Sequence, residues 1–292
     1  MNRPKGSELP GTGGPEEERM ERLEAEVLDL RHQLELADQR LKKRSVERQL
    51  ARKAADSAYE IVKHQNDELT AQVTLFRKFV PASLSAMLDQ RGFDVSRGFS
   101  LERTYSVLST DIRNFTSFTE KIPCQECFKF LNSFFTVMEP GIRSQGGFVY
   151  QYVGDSIMAL FPLVDGHSDN AVQSALHLLN DVIPDYNKGR IRAGYEPIQI
   201  GIGINSGSVA TGIAGTAERM DVSAFGSTVN LAARCEGLTK ELGEPLIVTE
   251  NTYKMLSSKE VYVMSLLGES SIRGMEQRVD LYSVRRKEQA AD

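Results

Sequence analysis

The sequence predicts an α+β domain behind a long helical segment, on three observations. Apolar runs rich in β-branched and aromatic residues alternate with stretches of helical periodicity in the order strand, helix, hairpin, helix, strand. That is the β-α-β-β-α-β order of a ferredoxin-like antiparallel sheet with flanking helices, here expected on one face. Residues 148–161, FVYQYVGDSIMALF, set two β-rich runs around Gly154-Asp155 and read as a hairpin presenting the Asp155 carboxylate at its turn. Ahead of these, residues 16–80 form a run of 65 residues without Gly or Pro, dense in Glu, Lys, Arg, Leu and Ala.

Composition narrows the function classes. With 292 residues, 40% hydrophobic content and a net charge of −5, the chain can bury a substantial core. It offers no general attraction to nucleic acid or an anionic membrane. Cys124, Cys127 and Cys235 are an odd set, which argues for a reducing compartment. The Cys124/Cys127 pair lacks the second pair or His cluster that a zinc site needs, and reads as structural. No apolar run approaches the ~20 residues of a membrane span, and the N-terminus lacks a signal-peptide stretch. The expectation is a soluble, cytoplasmic protein.

In chain order, the Gly- and Pro-rich residues 1–15 read as a disordered tail. Within 16–80, Met20, Leu23, Val27, Leu30, Leu34, Ala37 and Leu41 are spaced alternately by 3 and 4, the seam of a coiled coil that would pair two chains. The seam fails at Arg44 and Arg48, and apolar residues resume at Leu69, Val73, Phe76 and Val80 in a shifted register, so one helix or two in succession are open. The basic cluster from Lys42 to Lys53 is interleaved with Glu47, has no aromatics, and reads as a solvated face. A connector, 81–102, contains a short helix at 82–90. The main domain, 103–285, follows, and 286–292 are a tail.

The domain opens with a strand at 103–112 ending on Asp111 and a polar, aromatic loop at 114–119. A helix at 125–143 carries Phe128, Leu131, Phe134, Phe135 and Met138 at helical spacing. After the hairpin come a helix at 169–186, a Gly-rich strand pair at 198–213 and a helix at 228–242. A strand at 246–248, a capped helix from Thr249 or Glu250 and strands at 261–267 and 278–284 close the domain. The glycines of 198–213 allow tight turns and close backbone approach.

Asp111 and Asp155 would lie side by side if the first strand pairs with the hairpin. Two hard carboxylates at a sheet edge suit Mg²⁺ or Mn²⁺, completed by substrate phosphates. With two ions, one can activate an attacking hydroxyl while the other neutralises a polyphosphate leaving group. The loop after Asp111 could offer backbone N–H groups to phosphate. Asn230 and Arg234, spaced i, i+4, project from one helix face, an amide that can orient a ribose and a guanidinium that can stabilise a pentavalent phosphate.

These motifs, Asp111 in TDIRNFTSF, Asp155 in YVGDSIMALF, GIGINSGSVATGIAG and FGSTVNLAAR, resemble in order the signatures of the class III nucleotidyl cyclases, the adenylate and guanylate cyclase catalytic domain. The resemblance runs from about Tyr105 to Val284, and FRKFVPASL ahead of it is similar to the lead-in of soluble bacterial members. It implies that Asp111 and Asp155, with the Ile112 backbone, bind two divalent ions, Mg²⁺ or Mn²⁺, and that Phe115 and Thr116 belong to the phosphate loop. It further implies that Asn230 orients the ribose, Arg234 stabilises the transition state, and Arg273 replaces the Lys that commonly holds the terminal phosphates. In the family the site is shared across a head-to-tail homodimer, which gives the coiled coil a role in holding two domains together.

Departures from the family bear on the base. Members using ATP usually carry Lys, with Asp or Thr, where this chain has Gln151 and Ser223; members using GTP tend to carry Glu and Cys. Gln and Ser can each donate or accept, so they meet several base edges without charge selection. Some similar cyclases lacking the purine selectors make cyclic UMP or CMP in phage defence. Asn114 stands where many members have Gly. The resemblance therefore implies a lyase making a 3′,5′-cyclic nucleotide and pyrophosphate from a nucleoside triphosphate, ATP first by family frequency, then UTP or CTP, then GTP. An inactive nucleotide-binding or dimerisation module is the competing class, and typically lacks one of the four residues present here.

Overall fold

The structure, a computed structural model, describes residues 14–78, 100–163, 165, 168–216, 218–270 and 278–287. The expected helix at 82–90, Val80, most of the FRKFVPASL lead-in and Arg273 lie outside the described residues. The chain divides into two compact units, Met1–Thr74 and Leu75–Asp292.

From Pro15 on, the described residues of the first unit lie in one helix. α1 (Pro15–Arg77) is continuous, which settles the open choice between one helix and two. Its ends follow the usual chemistry. Pro15 opens the first turn, where its missing N–H costs nothing, acidic Glu16, Glu17 and Glu18 follow, and Arg77 sits in the last turn. At 1.5 Å per residue, 63 residues reach roughly 95 Å. No residue of α1 is buried: the seam residues Met20, Leu23, Val27, Leu30, Leu34 and Leu41 are 48–72% exposed in the single chain.

The second unit is an eight-stranded sheet with helices. In chain order it comprises β1 (Ser100–Ile112), α2 (Phe115–Thr119), α3 (Cys124–Ser144), β2 (Phe148–Val153) and β3 (Ser156–Pro162). There follow α4 (Asp169–His177), a π-turn (Leu178–Val182) and α5 (Ile183–Arg192). Then come β4 (Ile200–Gly215), β5 (Met220–Phe225), α6 (Ser227–Glu241), β6 (Leu246–Thr249), α7 (Glu250–Lys254), β7 (Tyr262–Ser270) and β8 (Val279–Arg286). The sheet order is β2-β3-β1-β4-β6-β8-β7, with β5 added to the far part of β4. Every pairing is antiparallel except β4 with β6, so the ferredoxin-like, largely antiparallel expectation holds. The π-turn precedes Pro184, which has no N–H to donate and crowds the carbonyl four residues back.

Three elements differ from the sequence reading. Residues 114–119 contain a helical turn, α2, instead of a loop. The Gly-rich stretch is a single strand, β4, not a strand pair. Finally, helices cover both faces of the sheet, not one. Leu108, Phe134, Met138, Ile142, Ala175, Leu178, Ile202 and Ile204 form the core under α3, α4 and α5. Val107, Leu160, Val209, Val229 and Ala232 form another, under α6. Period-2 alternation puts Ile202 and Ile204 on the first face and Gly201 and Gly203 on the second. There the glycines serve close approach: a Cβ on Gly203 would fall on the Glu236 nitrogen and the Ala232 carbonyl oxygen of α6.

A buried polar set fixes the start of α6. Asn205, 2% exposed, donates to the Thr228 carbonyl oxygen at 3.1 Å and accepts from Thr249 Oγ1 at 2.7 Å. Thr228 Oγ1 donates to the Ser208 carbonyl oxygen at 2.7 Å. β4, braced through Asn205 by Thr249 of β6, thereby anchors the first turn of the helix carrying Asn230 and Arg234.

Candidate active site

β1 pairs with β3 in the register Thr110↔Ile157, which sets Asp111, near the end of β1, beside the β2/β3 turn holding Asp155. The sequence expected this pairing and the structure has it. Ser156 Oγ donates to Asp111 Oδ1 at 2.9 Å, and the Ile112 backbone N–H donates to Asp155 Oδ2 at 3.2 Å. Burial, then the adjoining Asp111 carboxyl, holds Asp155 well above the usual carboxylate range. Two half-buried carboxyls in contact repel when both are ionised, and a divalent cation relieves that. Among the described residues no third acidic, His or Cys side chain joins them, so remaining ligands would come from backbone, water or a substrate. This donor set fits Mg²⁺ or Mn²⁺ bound with phosphate oxygens.

Phe115 and Thr116 open α2 directly after this strand end. The turn is made by Asn114, at φ 58° and ψ 26°. That is left-handed backbone, which Gly enters freely and Asn more readily than other side chains. Asn114 thus preserves the bend at a position where Gly is common. Phe115 stands 6.2 Å from Phe130 of α3, centroid to centroid, which fixes the short helix against the core.

Asn230 and Arg234 both lie on α6, whose other side packs through Val229, Leu231, Ala232 and Cys235. Asn230 is exposed and Arg234 half-buried. Neither side chain makes a hydrogen bond or ion pair among the described residues, and no ion pair joins Arg234 to Asp111 or Asp155 within the chain. The two halves of the expected constellation are therefore both present but not joined in one chain.

Gln151 gains its orientation from a β-bulge. The β2/β3 register runs Val149↔Ala159 and then Gln151↔Met158, leaving Tyr150 as the extra residue. Tyr150 and Met158 belong to the cluster under α6, so Gln151, opposite Met158, faces that side as well. Strict alternation after Tyr150 would have sent it to the other face. Ser223 sits on β5 opposite Gly212, beside Ala224, which packs on the same cluster as Tyr150. Alternation therefore turns Ser223 to the face opposite Ala224, so Gln151 faces the α6 side and Ser223 does not.

Behind these residues lie contacts between distant segments that no sequence motif marks. The Arg113 guanidinium donates to Thr239 Oγ1 at 2.6 Å, and Thr239 in turn donates to the Glu236 carbonyl oxygen. The Glu236 carboxyl, two residues past Arg234, is pushed up to about 7 by burial and by the charge of Asp111, partly offset by Arg113. The available signal was the Gly201/Gly203 alternation, which marks where α6 would close on β4.

The α+β sheet thus carries paired strand-end carboxyls, a short helix directly after one of them and an Asn/Arg pair on the helix that closes on β4. The sequence profile of the adenylate and guanylate cyclase catalytic domain matches residues 101–286, and the chain belongs to this family. It is 33% identical over 225 residues to the adenylate cyclase of Anabaena cylindrica, covering 75% of this chain and 44% of that protein. It is 32% identical over 215 residues to the terminal-differentiation specific adenylate cyclase of Dictyostelium discoideum, covering 72% of this chain and 10% of that one. Among solved structures it resembles a bacterial light-regulated adenylyl cyclase, at TM-score 0.67 and 26% identity over 80% of this chain and 66% of that one. It also resembles the guanylyl cyclase Cya2, at TM-score 0.56 and 25% identity over 65% of this chain and 96% of that one. The chain spans less than half the length of these curated relatives. No helix among the described residues is long and apolar enough to cross a membrane.

Proposed function

We propose that the chain is a homodimeric nucleotidyl cyclase converting a nucleoside triphosphate into its 3′,5′-cyclic nucleotide and pyrophosphate. The observation that carries this is the Asp111/Asp155 contact: two carboxyls held together at a strand end, with burial and mutual repulsion favouring a divalent cation. Bound there, two Mg²⁺ or Mn²⁺ ions would acidify the attacking 3′-hydroxyl and neutralise the triphosphate. Asp111, Asp155 and the Ile112 backbone would hold them.

The protein's own groups supply the rest. The amides opening α2 at Phe115 and Thr116 receive phosphate oxygens, and Arg273 the terminal phosphates. Asn230 orients the ribose so that its 3′-oxygen faces the α-phosphorus, and Arg234 neutralises charge there as the bond to pyrophosphate breaks. Among the described residues Asn230 and Arg234 have no hydrogen-bond or ion-pair partner and no ion pair to the two Asp residues, which supports their acting on substrate held by a second subunit. The apolar seam of α1, exposed in the single chain, supports a parallel coiled coil that pairs the subunits.

ATP is the first substrate, since the relatives named above include adenylate cyclases. A specific observation favours a second reading, a pyrimidine cyclase making cyclic UMP or CMP as a defence signal: the bulge turns an uncharged Gln151 to the α6 face, near the strand of Ser223. The deciding experiment incubates the purified dimer with Mn²⁺ or Mg²⁺ and each of ATP, GTP, CTP and UTP, and identifies the products by mass. One cyclic nucleotide should dominate; a folded dimer that yields none overturns the enzyme reading.

A further inference from the structure

A cavity that neither Asp111 nor Asp155 lines lies between α3 and α5. It has a volume of about 670 Å³ and is walled by Phe118, Ile122, Phe130, Tyr186 and Tyr195, with Arg190 set among them. That is the size range of small-molecule sites, mostly apolar with a few convergent polar groups.

Arg190 is the feature that needs an explanation. It is only 8% exposed, yet no carboxylate lies within ion-pair distance of it among the described residues. Its Nε donates to the Glu196 carbonyl oxygen at 2.8 Å, which ties down the turn after α5. Its two Nη groups have no protein acceptor among the described residues. Instead the guanidinium carbon stands 4.8 Å from the Phe130 ring centroid, 5.5 Å from that of Tyr195 and 5.8 Å from that of Tyr186. Aromatic faces offset part of the cost of burying a cation but leave the charge uncompensated. The other cation at the cavity, Lys129, is already paired with Glu126 at 2.8 Å.

A buried guanidinium with two free donor groups, inside an aromatic box open to solvent, matches an anion mounted on a flat apolar body. A carboxylate or phosphate would take the bidentate Nη donors, and its ring or chain would fill the space between Phe118, Phe130 and Tyr195. We infer that this cavity is a binding site for a small amphipathic anion, a carboxylate or phosphate ester carried on an aromatic group, with Arg190 as its anchor. The inference does not depend on the cyclase reaction, because binding alone reads it.

The test titrates the full-length protein calorimetrically with 3-phenylpropionate and with phenyl phosphate, which separate the carboxylate from the phosphate. The controls are the neutral 3-phenylpropanamide, and propionate and inorganic phosphate, which lack the ring. At least one aromatic anion should bind saturably with Kd near or below about 1 mM, and the amide and the ring-free anion at least about tenfold more weakly. Arg190→Met, which keeps most of the stem, should weaken binding by about tenfold or more. Gly189→Leu is the independent check, because Gly189 lines the cavity on α5 and an added Cβ there meets nothing within 4 Å. It should obstruct the cavity beside Arg190 and weaken binding by about tenfold or more while leaving the guanidinium in place, and it decides the matter if Arg190→Met does not fold. Absence of saturable binding by either anion, equal binding of the amide, or unchanged binding in folded Gly189→Leu would each overturn the assignment.

Discussion

The Arg113 guanidinium reaches Thr239 Oγ1 at 2.6 Å, a bond between residues 126 apart in sequence. It joins the end of β1, just past Asp111 and Ile112, to the last turn of α6, the helix of Asn230 and Arg234. In the proposed dimer those two sets serve different composite sites, so this bond ties together the contributions one subunit makes to both. Arg113→Ala removes it, and also removes the cation that moderates the Glu236 carboxyl. The expected cost is about 1–2 kcal/mol in urea unfolding. Thr239→Ser keeps the hydroxyl and should retain most of the wild-type stability, whereas Thr239→Val should behave like Arg113→Ala.

Two glycines, one on β4 and one on α6, should respond in opposite directions. On β4, a methyl group at Gly203 collides with the backbone of α6 at Glu236 and Ala232, and backbone cannot swing aside as a side chain does. Gly203→Ala should therefore cost about 3 kcal/mol and displace α6, lowering activity with it. Gly237 lies within α6 itself, exposed, with nothing within 4 Å of an added Cβ. Gly237→Ala should stabilise by up to about 1 kcal/mol, because only the helix propensity changes. Urea midpoints of the two variants and wild type decide it.

This contrast also shows what a one-dimensional reading can reach. The β2/β3 hairpin, the C-terminal end of β1 and the start of α7 at 249–250 were legible because each depends on neighbouring residues: alternation, a Gly-Asp turn, a side-chain oxygen before a helix. The adjacency of Asp111 and Asp155 was legible too, since a strand and a following hairpin have few ways to pair. What escaped depends on contacts between distant segments. The glycines of β4 look like turn residues until α6 is known to lie on them, and only then does one long strand make sense. The bulge at Tyr150 escaped because FVYQYV alternates acceptably without it; only the pairing with β3 exposes the extra residue. Arg113, Glu236 and Thr239 carry no local pattern at all.

Glu236 gives a pH signature. Its folded-state carboxyl titrates near 7, against an ordinary 4.5, so between those values the folded protein binds the proton more tightly than the unfolded chain. A raised carboxyl is a liability once ionised. Its effect on stability is absent at the acid end of the window and grows as pH rises towards 7. Glu236→Gln, which cannot ionise, should melt close to wild type at pH about 5 and above it at pH about 7.5, both measured without metal. A constant difference between the two proteins across that range would mean that the carboxyl is not displaced.

The sharing of the site between subunits is open to a mixing experiment. Asp155→Ala leaves Asn230 and Arg234 intact, and Arg234→Ala leaves both carboxyls intact; each homodimer carries the same defect in both of its sites and should be inactive. In a heterodimer of the two, one composite site collects both lesions and the other neither. Random pairing makes half of the dimers mixed, so activity should return to about a quarter of wild type per active-site equivalent. Pairing through the exposed seam of α1 makes a control available: Leu30→Asp with Leu34→Asp sets charges on the seam, and should abolish the recovery while leaving the fold of the sheet domain unchanged. Recovery to that level places the two halves on different chains; a mixture that stays dead, with heterodimers shown by differential tagging, puts Arg234 and Asp155 to work in the same subunit.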